Sequence, residues 1–128
     1  MKRFSTILVC ASLVSFSLIA GETNAVTPKK IGATEADKHY NETLTVTGKV
    51  AQVTIREKLV FINLDKPHPD SPLTAIVFAT HTNQFGDLAK LKDRPVEITG
   101  MITNYHDSPE IVLESSNQLK IVEQPMQK

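Results

Sequence analysis

Residues 44–50, LTVTGKV, decide the fold, because a close copy returns at residues 96–102 as VEITGMI. In both copies apolar residues alternate with polar ones, which is the two-residue period of a strand with one buried face. Each copy also places a glycine inside the strand, at Gly48 and at Gly100. A glycine there lets a strand bend where a side chain would clash. The repeat therefore predicts two strands that bend at matching places.

Further alternating segments surround this repeat. The first strand is predicted over residues 44–56, and its alternation changes phase after Val50, which indicates a β-bulge. The segments LVFINL and LTAIVFA are apolar enough for buried strands, and the proline-rich loop DKPHPDSP separates them. Two more strands follow after a change of period, and the predicted strands are thus 44–56, 59–64, 73–79, 96–105 and 110–114.

The change of period predicts one short amphipathic helix between the third and fourth strands. Phe85, Leu88 and Leu91 stand three residues apart, Asn83 is a candidate cap, and Pro95 ends the segment. Because a helix does not follow every strand, a parallel doubly wound sheet is excluded. Five antiparallel strands with one helix between the third and fourth predict an all-β, five-stranded OB-fold barrel. Its first and fourth strands pair, and these carry the two glycines; two unrelated turn glycines are the alternative.

The N-terminal residues 1–25 predict a cleaved secretory signal peptide. Lys2 and Arg3 precede an apolar run, and small residues follow it, so that cleavage is expected after Ala25, or else after Ala20. An uncleaved anchor is the alternative. Residues 26–42 form a polar lead-in, loosely ordered at its start and with a short helical turn that Thr34 caps. The OB-fold domain covers 43–123, and 124–128 form a tail.

Composition limits the function classes. The chain has fourteen Lys and Arg and fourteen Asp and Glu, and without Lys2, Arg3 and Glu22 of the signal twelve and thirteen remain. This near-neutral balance argues against a strong non-specific nucleic-acid binder. Cys10 is the only cysteine and lies in the signal, so the mature chain has neither disulfides nor thiolate metal sites. We expect a periplasmic or secreted protein held together by its hydrophobic core.

The chain resembles the small exported bacterial OB-fold domains that occur alone or appended to secreted nucleases. The matching pieces run in order from about residue 43 to residue 122: TVTGKV, VFINL, the proline-rich loop, TAIVF, FGDLAKLKDRPVEITGMI and PEIVLESSNQLKIV. The resemblance implies an OB-fold that binds nucleic acid and has no catalytic residues. The turn YHDSPE departs from the family pattern, because Asp107 stands where a basic or glycine-bearing turn is usual, and its negative charge disfavours nucleic-acid contact at this turn.

No catalytic constellation or phosphate-binding loop is visible in the sequence. The four histidines are far apart in sequence, and we interpret them as solvated polar residues rather than metal ligands: His39, His68, His81 and His106. We therefore predict no enzyme, no cofactor and no metal. A hydrolase is kept only as a third possibility.

Aromatic residues are better candidates for a site, because OB-folds bind chains on the outer face of their second and third strands. Polar Asn63 places Phe61 on that face, and Thr74 and Thr80 place Phe78 there. Filling of the barrel by both phenylalanines is the alternative. The predicted ligand-binding face consists of Phe61, Asn63 and Phe78, surrounded at its loops by Arg56, Lys58, Lys66, Tyr105 and His106.

The sequence thus predicts an exported, non-enzymatic OB-fold binding module. Its predicted ligand is single-stranded nucleic acid or another chain-like polymer. The alternative is a protein-interaction or stabilising module of the cell envelope, with an envelope protein as partner. Because one barrel serves oligonucleotides, oligosaccharides and proteins, the fold alone does not choose between them.

Overall fold

The computed structural model describes residues 28–122, and these form an all-β barrel with short 3-10 helices. The all-β class predicted from the sequence is confirmed. The predicted signal peptide 1–25 and the predicted tail 124–128 lie outside the described residues. The strands are β1 Lys30–Gly32, β2 Thr43–Ile55, β3 Leu59–Leu64, β4 Leu73–Phe78, β5 Pro95–Met101, β6 Thr103–Tyr105, β7 Ser108–Leu113 and β8 Leu119–Ile121. The 3-10 helices are η1 Ala33–Lys38, η2 Ala79–Gln84, η3 Leu88–Leu91 and η4 Ser116–Gln118.

The barrel closes through one strand that is interrupted at Ile102. β2, β3 and β4 pair as an antiparallel meander, and β4 continues to β7. β6 pairs with β7 on one side of Ile102, while β5 pairs with β2 on the other side. At the interruption, the amide of Asn41 donates to the Ile102 carbonyl at 2.7 Å, and the Ile102 amide donates to the Glu42 carbonyl at 3.0 Å. The predicted continuous fourth strand is therefore two strands.

The pairing of β4 with β7 corrects the prediction of five antiparallel strands, because these two strands are parallel. A parallel pair needs a crossover connection rather than a hairpin. Here the chain between them passes through η2, η3, β5 and β6 before it returns in the same direction. Alternation within each segment carries no information on strand direction, so the sequence pattern did not distinguish the two arrangements.

The two strands that carry the repeated glycine pair with each other, as predicted. β2 and β5 pair, with Gly48 opposite Val96 and Gly100 opposite Leu44. A Cβ on Gly100 would lie 2.6 Å from Cγ2 of Ile111, and one on Gly48 would lie 3.0 Å from Oδ1 of Asp65. A side chain at Gly100 would therefore force buried Ile111 to move, whereas at Gly48 it would make a tight contact with the exposed Asp65 side chain. The bulge predicted after Val50 is also confirmed, since the register with β3 shifts between Val50 and Gln52.

The predicted amphipathic helix is instead two short 3-10 helices, η2 and η3. Gly86 separates them with a φ of 66°, in the left-handed region that favours glycine. Asp87, not Asn83, provides the cap, because its side chain accepts from the amide of Ala89 at 3.1 Å. The predicted apolar spacing still fills the core, since Leu88 and Leu91 are both buried.

The predicted lead-in is part of the folded domain. β1 pairs in parallel with the first half of β2, at residues 45–47, on the edge opposite β5, and its Ile31 is buried. η1 follows and buries Ala33 and Ala36. The expected loose start is therefore wrong for the described residues, and Thr34 is exposed without capping η1. Small side chains let this turn approach the barrel closely, which alternation along the strands does not reveal.

The core consists mainly of the inward-facing residues of β2, β3, β4, β5 and β7. β3 contributes Val60, Ile62 and Leu64, and β4 contributes Leu73, Ala75 and Val77, all with little or no exposure. None of the helices within residues 28–122 has the length and apolar character needed to cross a membrane.

Candidate functional site

Strand alternation assigns the outer face of β3 and β4. Since the core residues of both strands occupy alternate positions, the residues between them face outward. These outward positions are Leu59, Phe61 and Asn63 on β3, and Thr74, Ile76 and Phe78 on β4. The structure therefore places Phe61 and Phe78 outside the barrel, Phe61 half-buried and Phe78 with 42% of its surface exposed.

Cross-strand pairing orders this face into three rows. The polar row is Gln52, Asn63, Thr74, Glu110 and Thr103, which run across β2, β3, β4, β7 and β6. The apolar row is Thr54, Phe61, Ile76 and Val112. The hairpin row is Leu59 and Phe78, next to the β2–β3 turn. The face thus changes from polar to apolar along the strands.

The hairpin end of the face consists of the hairpin row and the β2–β3 turn. The amide of Arg56 donates to the Leu59 carbonyl at 2.8 Å, which closes the turn. The amide of Ala79 donates to the Lys58 carbonyl at 2.9 Å and holds the turn beside Phe78. Arg56 and Lys58 are exposed, and neither forms an ion pair with another residue of the described chain. This end therefore combines an open aromatic ring with two available cations.

The loop end of the face is closed by hydrogen bonds along the polar row. The side-chain amide of Asn63 donates to Oε1 of Gln52 at 3.1 Å, and the Thr74 hydroxyl donates to Oδ1 of Asn63 at 3.0 Å. The backbone amide of His68 also donates to Oε1 of Gln52 at 3.0 Å, so the proline-rich loop packs over this row. Asn63 is only 2% exposed. Its polar groups are already satisfied within the protein.

Acidic groups surround the loop end. Glu110 belongs to the polar row, and partial burial raises the pKa of its carboxyl, an effect that the nearby His106 opposes. Asp65 and Asp70 lie in the proline-rich loop on either side of Lys66 in the sequence, and all three are exposed. A phosphate chain would meet net negative charge here, whereas Arg56, Glu57 and Lys58 give the hairpin end a net positive charge.

Tyr105 and His106 lie at the β6–β7 turn. Tyr105 is 58% exposed, and its ring stands edge-on to that of His106, with 4.3 Å between ring centroids. His106 and Asp107 both have positive φ, as a two-residue hairpin of this type requires. Because β7 runs parallel to β4, the start of β7 lies beside the start of β4, at the loop end.

The structure divides the eight predicted site residues into two groups. Arg56, Lys58 and Phe78 meet at the hairpin end, and Phe61 lies one row further along. Lys66, Tyr105 and His106 belong to the loop end, and Asn63 is covered there. Lys58 and Lys66 stand at opposite ends of β3, so they do not form one positively charged rim.

Sequence reasoning missed Gln52 and Glu110, which complete the polar row. Gln52 stands just after the phase change in β2, and a polar residue at that position was the available signal. Glu110 carries no such signal, because its place depends on the parallel pairing with β4. Among residues 28–122, no three His, Cys, Asp or Glu side chains cluster as a metal site would require.

Comparison with known proteins gives the fold alone. No protein-family model and no curated protein matches the sequence. Among solved structures, an OBody bound to hen egg-white lysozyme is similar with a TM-score of 0.52 and 18% identity over 79% of this chain and 100% of the OBody. The aspartyl-tRNA synthetase of Entamoeba histolytica is similar with a TM-score of 0.51 and 18% identity over 77% of this chain.

A putative aspartyl-tRNA synthetase from Leishmania major Friedlin is similar with a TM-score of 0.51 and 14% identity over 82% of this chain. The chain corresponds to only 23% of the length of either synthetase. These similarities support the OB-fold predicted from the order of the strands.

Proposed function

We propose that this chain is an exported, non-enzymatic binding module that holds a chain-like polymer, single-stranded nucleic acid, on the outer face of β3 and β4. The observation that carries the proposal is the open ring of Phe78 beside Phe61, with Arg56 and Lys58 at the same end. Export is supported by the signal pattern in residues 1–25. The absence of a catalytic motif from the sequence supports a binding role.

The chemistry of the hairpin end suits a nucleotide chain. An aromatic ring stacks on any base, because every base has an apolar face, and nearby cations attract the phosphates. Half-buried Phe61 lies in the apolar row next to Phe78, whereas its neighbour Ile76 is only 7% exposed, so the two phenylalanines are the side chains of this end that offer an apolar face. Because only two cations lie at this end of a near-neutral protein, we expect modest affinity that decreases with salt. If each cation neutralises one phosphate, log K should fall against log salt with a slope of about −1.4.

A fluorescence anisotropy titration with labelled single-stranded DNA and RNA at low salt tests the proposal. We expect both strands to bind, and Phe78→Ala to weaken binding by about 1–3 kcal/mol, or roughly 5- to 150-fold in Kd. Phe61→Ala should weaken binding as well. Met101→Ala is the matched control, because Met101 is a large apolar residue that is 52% exposed on β5, away from this face.

Two results would reject the nucleic-acid ligand. One is no binding of either strand by the folded protein. The other is binding that Phe61→Ala and Phe78→Ala leave unchanged. Circular dichroism of each variant shows that it is folded.

A protein partner in the cell envelope is the second candidate. The solved OBodies bound to lysozyme support it, since similar barrels there are bound to a protein. The near-neutral charge and the expected export also favour it. A pull-down from an envelope extract would identify such a partner, and loss of that partner in Phe78→Ala but not in Met101→Ala would place it on the same face.

A further inference from the structure

We propose that the binding site is confined to the hairpin end and holds a short segment of about two to four nucleotides, fewer than most OB-folds cover. The segment crosses β4, β3 and β2 at the apolar and hairpin rows and does not continue to the β6–β7 turn. This inference rests on the proposed function and specifies the ligand length and the path at the same site.

Closure of the loop end is the first reason. Asn63 donates to Gln52, and Gln52 also accepts from the His68 amide of the proline-rich loop. The hydroxyl of Ser71 donates to the Leu64 carbonyl at 3.1 Å and holds the other end of this loop against the barrel. A ligand over Asn63 would have to displace the loop and leave buried polar groups without partners. Asn63, at the centre of the polar row, is therefore unavailable to a base, and its neighbours in the row are only partly exposed.

Charge is the second reason. A strand that continued past the polar row would approach Glu110 and the Asp107 of the β6–β7 turn. Lys66 is the cation of the adjoining loop, and Asp65 and Asp70 lie in the same loop. Like charge opposes a phosphate chain along this route. Acidic residues outnumber Lys66 at the loop end, whereas Arg56 and Lys58 outnumber Glu57 at the β2–β3 turn.

The spacing of the aromatic rings gives the length. Phe61 is opposite Ile76, and Phe78 lies two residues further along β4, so the two phenylalanines occupy diagonal positions whose Cα atoms are about 7–8 Å apart. Two rings on one face offer two stacking positions. Arg56 and Lys58 at the adjacent turn can neutralise about two phosphates, which gives a salt slope of about −1.4 for a single strand.

The test compares the salt dependence of binding for oligothymidylates of about 2, 4, 8 and 16 residues, lengths that bracket known OB-fold sites. The salt slope is measured because it counts phosphates, whereas longer strands gain affinity simply by offering more binding positions. We expect the slope to reach about −1.4 by the four-residue strand and to stay there. Lys58→Gln should make it shallower by about 0.7, while Lys66→Gln and Tyr105→Ala should leave it unchanged.

A slope that steepens to the eight- or sixteen-residue strand would overturn the short site while leaving the proposed function in place. A shallower salt slope in Lys66→Gln, or weaker binding by Tyr105→Ala, would also overturn the short site and leave the proposed function in place. No binding at any length would overturn the proposed function and this inference together. All three substituted side chains are exposed, so the variants are expected to fold.

Discussion

At the hairpin end of the outer face Phe78 leaves 42% of its surface exposed, whereas Asn63, two rows away on the neighbouring strand, leaves 2%. Phe78 has no role in closing the barrel, since the core side of β4 is formed by Leu73, Ala75 and Val77. Asn63 instead joins β2 to β4 through hydrogen bonds on both sides. Neighbouring strands of one sheet thus present an open surface at one end and a closed one at the other.

The difference shows that outward direction and availability are separate properties. Alternation places a residue outside the barrel, but a loop packed over that position makes it as inaccessible as the core. Substitutions at the two ends should therefore change different quantities: stability at the loop end and ligand affinity at the hairpin end.

The largest expected effect is at Asn63. Asn63→Ala removes two hydrogen bonds and leaves the Thr74 hydroxyl and the Gln52 side chain without this partner, so the free energy of unfolding should fall by about 1–3 kcal/mol. Urea denaturation measures the change. Asn83→Ala, the same substitution at an exposed site on η2, is the control and should have little effect. Equal losses in the two variants would contradict a closed polar row.

Phe78→Ala should change oligonucleotide affinity more than stability. Because the ring is largely open, the free energy of unfolding should fall by about 1 kcal/mol or less, while oligonucleotide affinity falls as proposed above. Val77→Ala, on the same strand but fully buried, should cost about 2 kcal/mol and leave affinity of the folded protein intact. If Phe78→Ala unfolded the protein as readily as Val77→Ala, the hairpin end would not be an open surface.

A smaller effect is expected at the β6–β7 turn. Asp107 has a φ of 61°, a conformation that glycine adopts without strain, so Asp107→Gly should raise the free energy of unfolding by about 0.5–1 kcal/mol. Asp70→Gly is the matched control, because Asp70 lacks a positive φ, and it should give no gain. Thermal unfolding of both variants provides the measurement. Oligonucleotide affinity that changed markedly with Asp107→Gly would extend the binding face to this turn.

The smallest effect is the pH dependence of stability due to Glu110. Burial raises its folded pKa above the ordinary value of 4.5, so between these two values the folded state binds more protons than the unfolded state. Stability from this group therefore falls as pH rises through that window. Glu110→Gln should remove this loss, and its unfolding midpoint relative to wild type should rise with pH above about 4.5.

Glu57→Gln, the same substitution at the exposed β2–β3 turn, is the matched control for Glu110→Gln. A difference between Glu110→Gln and wild type that stays constant with pH would contradict the raised pKa.

Much of the candidate site followed from local pattern. The polar positions Asn63 and Thr74 indicated an outward direction for Phe61 and Phe78, because side chains alternate along a strand. The sequence left open that both fill the barrel, and the structure decides for the outward direction. The grouping of the surrounding residues did not follow. Lys58 and Lys66 are equally basic in the sequence, and only the course of β3 shows that they stand at opposite ends. Likewise, only the parallel pairing of β7 with β4 shows that Tyr105 and His106 lie at the loop end.

The sequence by itself determined the main strands and the bulge after Val50, because these depend on alternation and on local backbone geometry. Tertiary structure alone decided the parallel pairing of β4 with β7, the folding of residues 30–38 onto the barrel and the cover over Asn63. Each of these depends on contacts between segments far apart in the chain. Such contacts produce no repeating pattern in the sequence, so only the tertiary structure shows which part of the face is accessible.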